Sequence, residues 1–156
     1  MPQTLQASAG ALQNLAACQF DPSVNVRACV RTEKGLPVLV ELLRLHDDKV
    51  VCAVTTALRN LSLDQRNREL IGKYAMKDLV AKLPQAGQGC RDPSVSDATV
   101  GAVLGILFET VRHSADFTRN IHECGGTERL RSLASSYPVY SGRICKYASQ
   151  VLWILV

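Results

Sequence analysis

Hydrophobic side chains recur along this chain at steps of three and four residues, which places them on one face of an α-helix. The pattern is clearest over residues 36–43, 50–61 and 76–83. No segment of any length alternates apolar and polar residues, as a half-buried β-strand would. The sequence therefore predicts an all-α protein.

The helical segments also resemble one another at a nearly constant spacing. One column of aligned leucines, at spacings of 46, 49 and 45 residues, contains Leu12, Leu58, Leu107 and Leu152. A second column of small residues contains Gly35, Ala75 and Gly126. Two such columns are typical of a solenoid of the armadillo or HEAT class, whose repeats are about 40–47 residues long. Three predicted helices per unit favour an armadillo-repeat right-handed superhelix, an α-solenoid of about three repeats plus a partial one.

The columns divide the chain into units with a short first helix, a second helix and a long third helix. Residues 1–18 are predicted to hold the third helix of a truncated repeat. Residues 19–63 and 64–112 form repeats, and 113–156 a repeat truncated at its end. The loop at 85–97, inside the third of these ranges, is expected to be the most mobile internal segment, because Gly, Gln and Pro crowd there.

The predicted ends of the chain fall on third helices. Terminal units of a solenoid need a polar outer face, so we expect a slice of a longer array that is marginal or self-associating alone. Leu15, Val151 and Leu155 are among the apolar residues expected to lack a covering neighbour.

Composition narrows the possible functions. The 156 residues are 47% hydrophobic and 21% charged, a globular balance. A net charge of +4 is too mild for a dedicated nucleic-acid binder. The six cysteines include no C-x-x-C pair and mostly lie in apolar helical patterns. We therefore interpret them as small buried side chains in a reducing compartment.

No constellation of residues suggests catalysis or a cofactor. There is no Ser/His/Asp order, carboxylate pair or phosphate-binding glycine loop, so we predict a non-enzymatic protein. His122 and Cys124 would supply only two of the four ligands of a zinc site. We therefore predict no metal and no cofactor.

The residues of the repeats resemble those of a known protein family. Residues 10–16, 31–43, 50–61 and above all 66–80 resemble the delta-catenin/plakophilin branch of armadillo proteins. The match is specific over residues 9–84 and looser over 97–152, and the order of segments resembles the last repeats of that family's armadillo domain. Cys18 and Phe20 stand where the family usually has Gly and Trp, and Thr127 where it has an apolar residue.

The resemblance implies a cell-adhesion adaptor. Family members bind the cytoplasmic juxtamembrane tail of cadherins and link junctions to the cytoskeleton and to Rho-type signalling. The implied partners are a cadherin tail and Rho-pathway proteins, with no nucleic acid and no membrane insertion. The implied location is the cytoplasm at adherens junctions or desmosomes, with the nucleus as a second location. In that family the main cadherin contact lies on earlier repeats.

Alternatives to this function remain. The chain could be a structural end segment without a ligand site, or a general nuclear and cytoplasmic protein-binding solenoid. An RNA-binding helical repeat is disfavoured by the mild, mixed charge.

Candidate site residues lie on the third helices, which line a concave groove in armadillo arrays. Asn14 and Asn60 share one column, where asparagine side chains can hydrogen-bond the main chain of an extended peptide. The alternative for both is a structural bond to an adjacent helix end.

Lys49, Thr56 and Arg59 complete the predicted groove. Lys49 and Arg59 could pair with an acidic tail, or they could simply be solvated. The column of Thr56 lacks the tryptophans of nuclear import receptors, which argues against that function. The charges over residues 64–78 are expected to pair within helices, as in Glu69–Lys73 at i, i+4. They are Arg66, Arg68, Lys73 and Lys77 with Asp64, Glu69 and Asp78.

Overall fold

The structure is a computed structural model that describes residues 1–87 and 91–156. Within these ranges it contains ten α-helices and no β-strand. The helices are α1 (Pro2–Leu15), α2 (Asp21–Thr32), α3 (Gly35–Leu42), α4 (Asp48–Leu61), α5 (Gln65–Tyr74), α6 (Met76–Val80), α7 (Asp97–Val111), α8 (Ala115–Glu123), α9 (Gly126–Ala134) and α10 (Gly142–Leu155). The predicted all-α fold is confirmed.

The four long helices α1, α4, α7 and α10 form one layer, in which each packs against the next. The shorter helices lie beside this layer, with α3 against α4 and α5, and α9 against α10. A single hydrophobic core runs from Ala9 to Leu155 between the helices. This arrangement is a solenoid, because each helix touches only its neighbours in the stack. The division into repeats at 1–18, 19–63, 64–112 and 113–156 remains our proposal for this helix order.

The leucine column lies inside the stack. Leu58 and Leu107 are fully buried, whereas Leu12 and Leu152 are only half-buried. The difference arises because α4 and α7 have a long helix on both sides, and α1 and α10 on one side only. Other apolar residues near the ends differ from expectation. Val151 and Leu155 are buried, because α10 also packs against α9, while Leu15 is exposed as expected.

The small-residue column marks the close approach of successive helices. A Cβ atom on Gly126 would lie 2.7 Å from Cγ2 of Ile121, so only glycine lets α9 begin this close to α8. Ala75, the equivalent residue before α6, is fully buried. The residues that precede α3 and α9, Lys34 (φ 59°) and Gly125 (φ 76°), adopt left-handed backbone conformations that reverse the chain sharply.

The interpretation of all cysteines as buried is wrong for two of them. Cys145 is buried and Cys52 and Cys124 are half-buried, but Cys18 and Cys29 are exposed. Cys29 lies on α2, whose buried residues are Ser23 and Arg27, so its apolar neighbours in sequence do not place it in the core. Cys90 lies outside the described residues.

The predicted pairing of charges within helices is also wrong in its main example. Glu69 and Lys73 form no ion pair, and the Lys73 ammonium instead lies 5.3 Å from the centre of the Tyr74 ring. Acidic side chains of this region reach back to the preceding helices. Asp64 accepts a 2.7 Å hydrogen bond from the Arg31 guanidinium of α2. Charge pairs of this region, Arg31–Asp64 and Arg44–Asp78, therefore join successive units.

A buried asparagine links three helices. Asn67, on α5, is fully buried. Its amide nitrogen donates to the carbonyl of Arg27 at 2.9 Å and to that of Leu61, at the end of α4, at 3.1 Å. Its side-chain oxygen accepts from Arg31 at 2.9 Å. Every hydrogen-bonding group of this amide head is thus directed at a neighbouring element.

Arginine side chains cap helix ends in the same manner. The buried guanidinium of Arg27 donates to the carbonyls of Ala16 (2.6 Å) and Cys18 (2.7 Å), just after α1. Arg129, on α9, donates to the carbonyl of Leu83 (2.8 Å), just after α6. Carbonyls at helix C-termini lack partners in their own helix, so these arginines satisfy them from the next unit.

The loop predicted at 85–97 includes residues 88–90, which lie outside the described residues, so its mobility stays a prediction. Its far end is tied to the neighbouring unit, since Asp48 accepts hydrogen bonds from the Ser96 amide (3.1 Å) and the Thr99 hydroxyl (2.9 Å). The helix α7 begins at Asp97, the last residue of that predicted loop.

In the two described ranges, no helix combines the length and the apolar character needed to cross a lipid bilayer.

We expect Asn67→Ala to lower the free energy of unfolding by about 2–4 kcal/mol, because polar groups of α2 and α4 lose their hydrogen-bond partner. Chemical denaturation of both proteins measures the difference. Asn25→Ala, at an exposed position of α2, is the matched control and should change stability by less than about 0.5 kcal/mol. Equal effects of the two substitutions would contradict the role of Asn67.

The stability of the chain should fall in acid through Asp64. Burial alone would raise the pKa of this carboxyl. Hydrogen bonds from the backbone N–H of Asn67 and from the Arg31 guanidinium outweigh burial and leave the pKa below its ordinary value of 3.8. A lowered pKa stabilises the fold above 3.8, and this contribution is lost as the pH falls through the folded-state pKa. Asp64→Asn should lower stability at neutral pH and flatten the acid limb of the stability curve, whereas Asp116→Asn, at an exposed position of α8, should leave that limb unchanged.

Candidate functional site

A groove of about 430 Å³ opens across the layer of long helices, between α4, α7 and α10. Its lining contains Thr56, Arg59, Asp97, Ala98, Gly101, Ala102, Ser141, Arg143, Ile144 and Tyr147. The site residues were predicted on third helices, and the structure places Thr56 and Arg59 in this groove. The groove is shared by three long helices, so no single unit contains it.

The other predicted residues lie outside the lining of this groove. Lys49 is exposed in the first turn of α4, and Asn14 is exposed near the end of α1. The hydroxyl of Thr56 is already bonded within α4, where it donates to the carbonyl of Cys52 at 2.8 Å. The structure therefore brings together Thr56 and Arg59 but places Lys49 and Asn14 elsewhere on the layer.

The two column asparagines have different environments. The side-chain amide of Asn60 donates to the carbonyl of Gln13 at 2.8 Å. Gln13 lies in the last turn of α1, so this is a bond to an adjacent helix end. The side chain of Asn14 makes no hydrogen bond to the part of the chain that the structure describes.

A glycine allows Arg59 to lie across the groove. A Cβ atom on Gly105 would lie 2.6 Å from Cδ of Arg59 and 3.4 Å from the hydroxyl oxygen of Tyr147. The aliphatic stem of Arg59 thus crosses α7 at Gly105 towards Tyr147 of α10. Any larger residue at this position would displace the arginine.

Tyr147 is fixed by an aromatic contact and keeps its proton. Its ring meets that of Phe108 edge to face, with centroids 6.0 Å apart. Burial raises the pKa of the Tyr147 hydroxyl, and although Arg59 opposes this, Glu109 raises it further. The hydroxyl is therefore a hydrogen-bond donor at neutral pH.

The groove carries positive charge that the described residues do not neutralise. Neither Arg59 nor Arg143 forms an ion pair within residues 1–87 and 91–156. The acidic lining residue, Asp97, pairs with Arg91. Such a surface favours a ligand with negative charge.

Sequence reasoning missed Arg143 and Tyr147. They come from α10, and nothing in the local sequence places them beside Arg59 on α4. One signal in the sequence could have indicated the site. Gly105 aligns with Thr56 in the repeat, and a glycine at this position of a long helix leaves space for a groove.

The structure shows no metal-binding constellation among the described residues. His, Cys, Asp and Glu side chains there form no group of three or more that could hold an ion. The Nδ1 atom of His122 instead shares a 2.6 Å hydrogen bond with the hydroxyl of Thr127.

Comparison with known proteins agrees with this architecture. The armadillo/beta-catenin-like repeat family matches residues 23–63. A designed armadillo repeat protein superposes with a TM-score of 0.79 at 19% identity, over 99% of this chain and 59% of that one. The armadillo repeats only protein from Plasmodium falciparum gives 0.77 at 20% identity, over 97% and 61%. These likenesses confirm an armadillo solenoid.

Relatives at much higher identity cover nearly the whole chain. The juxtamembrane domain-associated catenin of Caenorhabditis elegans is 66% identical over 153 residues, 98% of this chain and 12% of that protein. Human catenin delta-2 is 51% identical over 154 residues (97% and 13%). Human plakophilin-4 is 47% identical over 153 residues (97% and 12%). The chain thus spans about an eighth of the length of these relatives. With its armadillo repeats and this identity along nearly its full length, the chain belongs to the delta-catenin/plakophilin family of armadillo proteins.

Proposed function

We propose that the chain is part of a non-enzymatic cell-adhesion adaptor, and that its groove binds an extended, acidic segment of a cadherin's cytoplasmic juxtamembrane tail. The observation that carries this proposal is the groove across α4, α7 and α10, in which Arg59 and Arg143 lack acidic partners among the described residues. An extended peptide could follow the stacked helices and place its carboxylates beside these guanidinium groups.

The family supports the choice of partner. The name of the Caenorhabditis elegans relative describes association with a juxtamembrane domain. The proposed partners of the whole protein are the cadherin tail and Rho-pathway proteins, through which the adaptor would connect junctions to the cytoskeleton. This chain covers only a small part of each relative. We place the protein in the cytoplasm at adherens junctions or desmosomes, with the nucleus as a second location.

A second candidate function is that of a structural segment whose groove has no ligand of its own. The bond from Asn60 to the Gln13 carbonyl favours it, since a residue predicted to contact a peptide instead holds α1 against α4. Under this alternative the segment would support binding by other repeats of the array.

We expect a fluorescent cadherin juxtamembrane peptide to bind the chain, as measured by anisotropy. Arg59→Gln should weaken binding about fivefold to tenfold through loss of one charge-assisted contact. Affinity should also fall with added salt, since exposed charges are screened over about 10 Å at 0.1 M. Arg119→Gln removes the same charge from the exposed surface of α8 and should leave affinity unchanged. Absence of binding, or equal effects of both substitutions, would favour the structural alternative.

The two asparagines should separate a structural role from a ligand role. Asn60→Ala should lower the free energy of unfolding by about 1 kcal/mol, because the Gln13 carbonyl loses its donor. Asn14→Ala should leave stability unchanged. Thermal melting gives the stability of each variant and the peptide titration gives its affinity. If Asn60→Ala lowered the affinity for the peptide without changing the stability of the chain, Asn60 would be a ligand-binding residue.

A further inference from the structure

We propose that the groove contains a subsite for one oxyanion-bearing side chain, a carboxylate or a phosphate, between Arg59 of α4 and Arg143 and Tyr147 of α10. The subsite rests on the proposed function, because its ligand is a side chain of the peptide in that groove. It goes further by naming the chemical group that is recognised and the residues that recognise it.

The floor of the subsite is backbone with no side chain above it. A Cβ atom on Gly101 would meet no atom within 4 Å, so the space above this glycine is open. One turn along α7, the space above Gly105 is occupied by the stem of Arg59. A ligand side chain can therefore enter over Gly101 and meet the arginine beside it.

The walls of the subsite supply several hydrogen-bond donors. Arg59 and Arg143 both line the groove, and each guanidinium presents a fork of N–H groups that fits the two oxygens of a carboxylate or phosphate. The Tyr147 hydroxyl adds a neutral donor, close to where the Arg59 stem crosses Gly105. No carboxylate in the described part of the chain pairs with either arginine, and Asp97, which also lines the groove, pairs with Arg91.

The backbone reinforces the positive potential. The first turns of α7 and α10 both line the groove, through Asp97 and Ala98 on one side and Arg143 and Ile144 on the other. Helix N-termini carry partial positive charge, which favours an anion nearby. At α7 the Asp97 carboxylate offsets part of this charge, whereas the first turn of α10 contains no acidic residue. A cationic ligand group would be repelled, and an apolar one would leave the arginines without a partner.

The test uses two small probes that share an aromatic body but differ in the anion. Phenyl phosphate and 3-phenylpropionate are titrated into the isotope-labelled chain, and the amide signals of Gly101 and Gly105 are followed by NMR. We expect saturable shifts at both glycines. Arg59→Gln and Arg143→Gln should each weaken binding about fivefold or more, and Tyr147→Phe by a smaller factor of about three. Arg119→Gln, the matched charge control on α8, should have no effect.

A further variant tests geometry without changing the charge. Gly105→Ala keeps both arginines but displaces the Arg59 stem. We therefore expect it to lower the affinity for the probes about as much as Arg59→Gln does. Phosphate binding at least about tenfold tighter than carboxylate binding would assign the subsite to a phosphorylated residue. Similar affinities would assign it to Asp or Glu.

The proposal is overturned if neither probe shifts the two glycine signals, or if Arg59→Gln and Arg143→Gln leave the titrations unchanged. That failure is distinguishable from failure of the proposed function. A cadherin peptide that still binds while the probes do not would retain the function and remove the subsite. Probes that bind as expected while the peptide does not would retain the subsite and remove the cadherin tail as its ligand.

Discussion

The stacking of this solenoid depends on satisfying the carbonyl groups at the ends of its helices. Carbonyl groups at a helix C-terminus lack partners in their own helix, and an unpaired carbonyl near the core is costly. The chain satisfies several of them with side chains from another unit, as Arg27 does for the residues after α1 and Arg129 for those after α6. Asn67 extends this to a junction of three helices. Because each bond crosses from one unit to the next, the same interactions that satisfy the backbone also fix the offset between units.

Close approach of helices is the second constraint, and it serves both fold and site. At Gly126 the missing side chain lets α9 begin against Ile121 of α8. On the buried side of α5, a Cβ atom on Gly72 would lie 2.6 Å from the ring of Phe117 of α8. At Gly105 the same absence leaves room for the stem of Arg59 instead of a second helix. Glycine, which permits close helix packing at Gly126 and Gly72, thus also leaves space for Arg59 beside the groove.

The candidate site follows from the layered arrangement of the long helices. Each of α4, α7 and α10 contributes one wall or the floor, so the groove depends on how three units are placed relative to one another. Hydrogen bonds that hold this placement, from Ser96 and Thr99 to Asp48, lie at the start of α4 and α7, close to the groove. Within the groove, Arg59 and Arg143 form no ion pair with the described part of the chain, so both are available to a ligand.

Local sequence determined the helices, the leucine column and the small-residue column, because helical periodicity and steric demands repeat in every unit. It also placed the candidate face on the long helices. The local sequence did not determine which of the remaining side chains contact helices of another unit. Cys29 is exposed despite its apolar context, Asp64 pairs with Arg31 across units, and Asn60 bonds the end of α1. Arg143 joins Arg59 only through the stacking of α10 on α7. Each of these outcomes depends on residues from another unit, whose offset and rotation are set by tertiary packing and leave no periodic signal in the sequence.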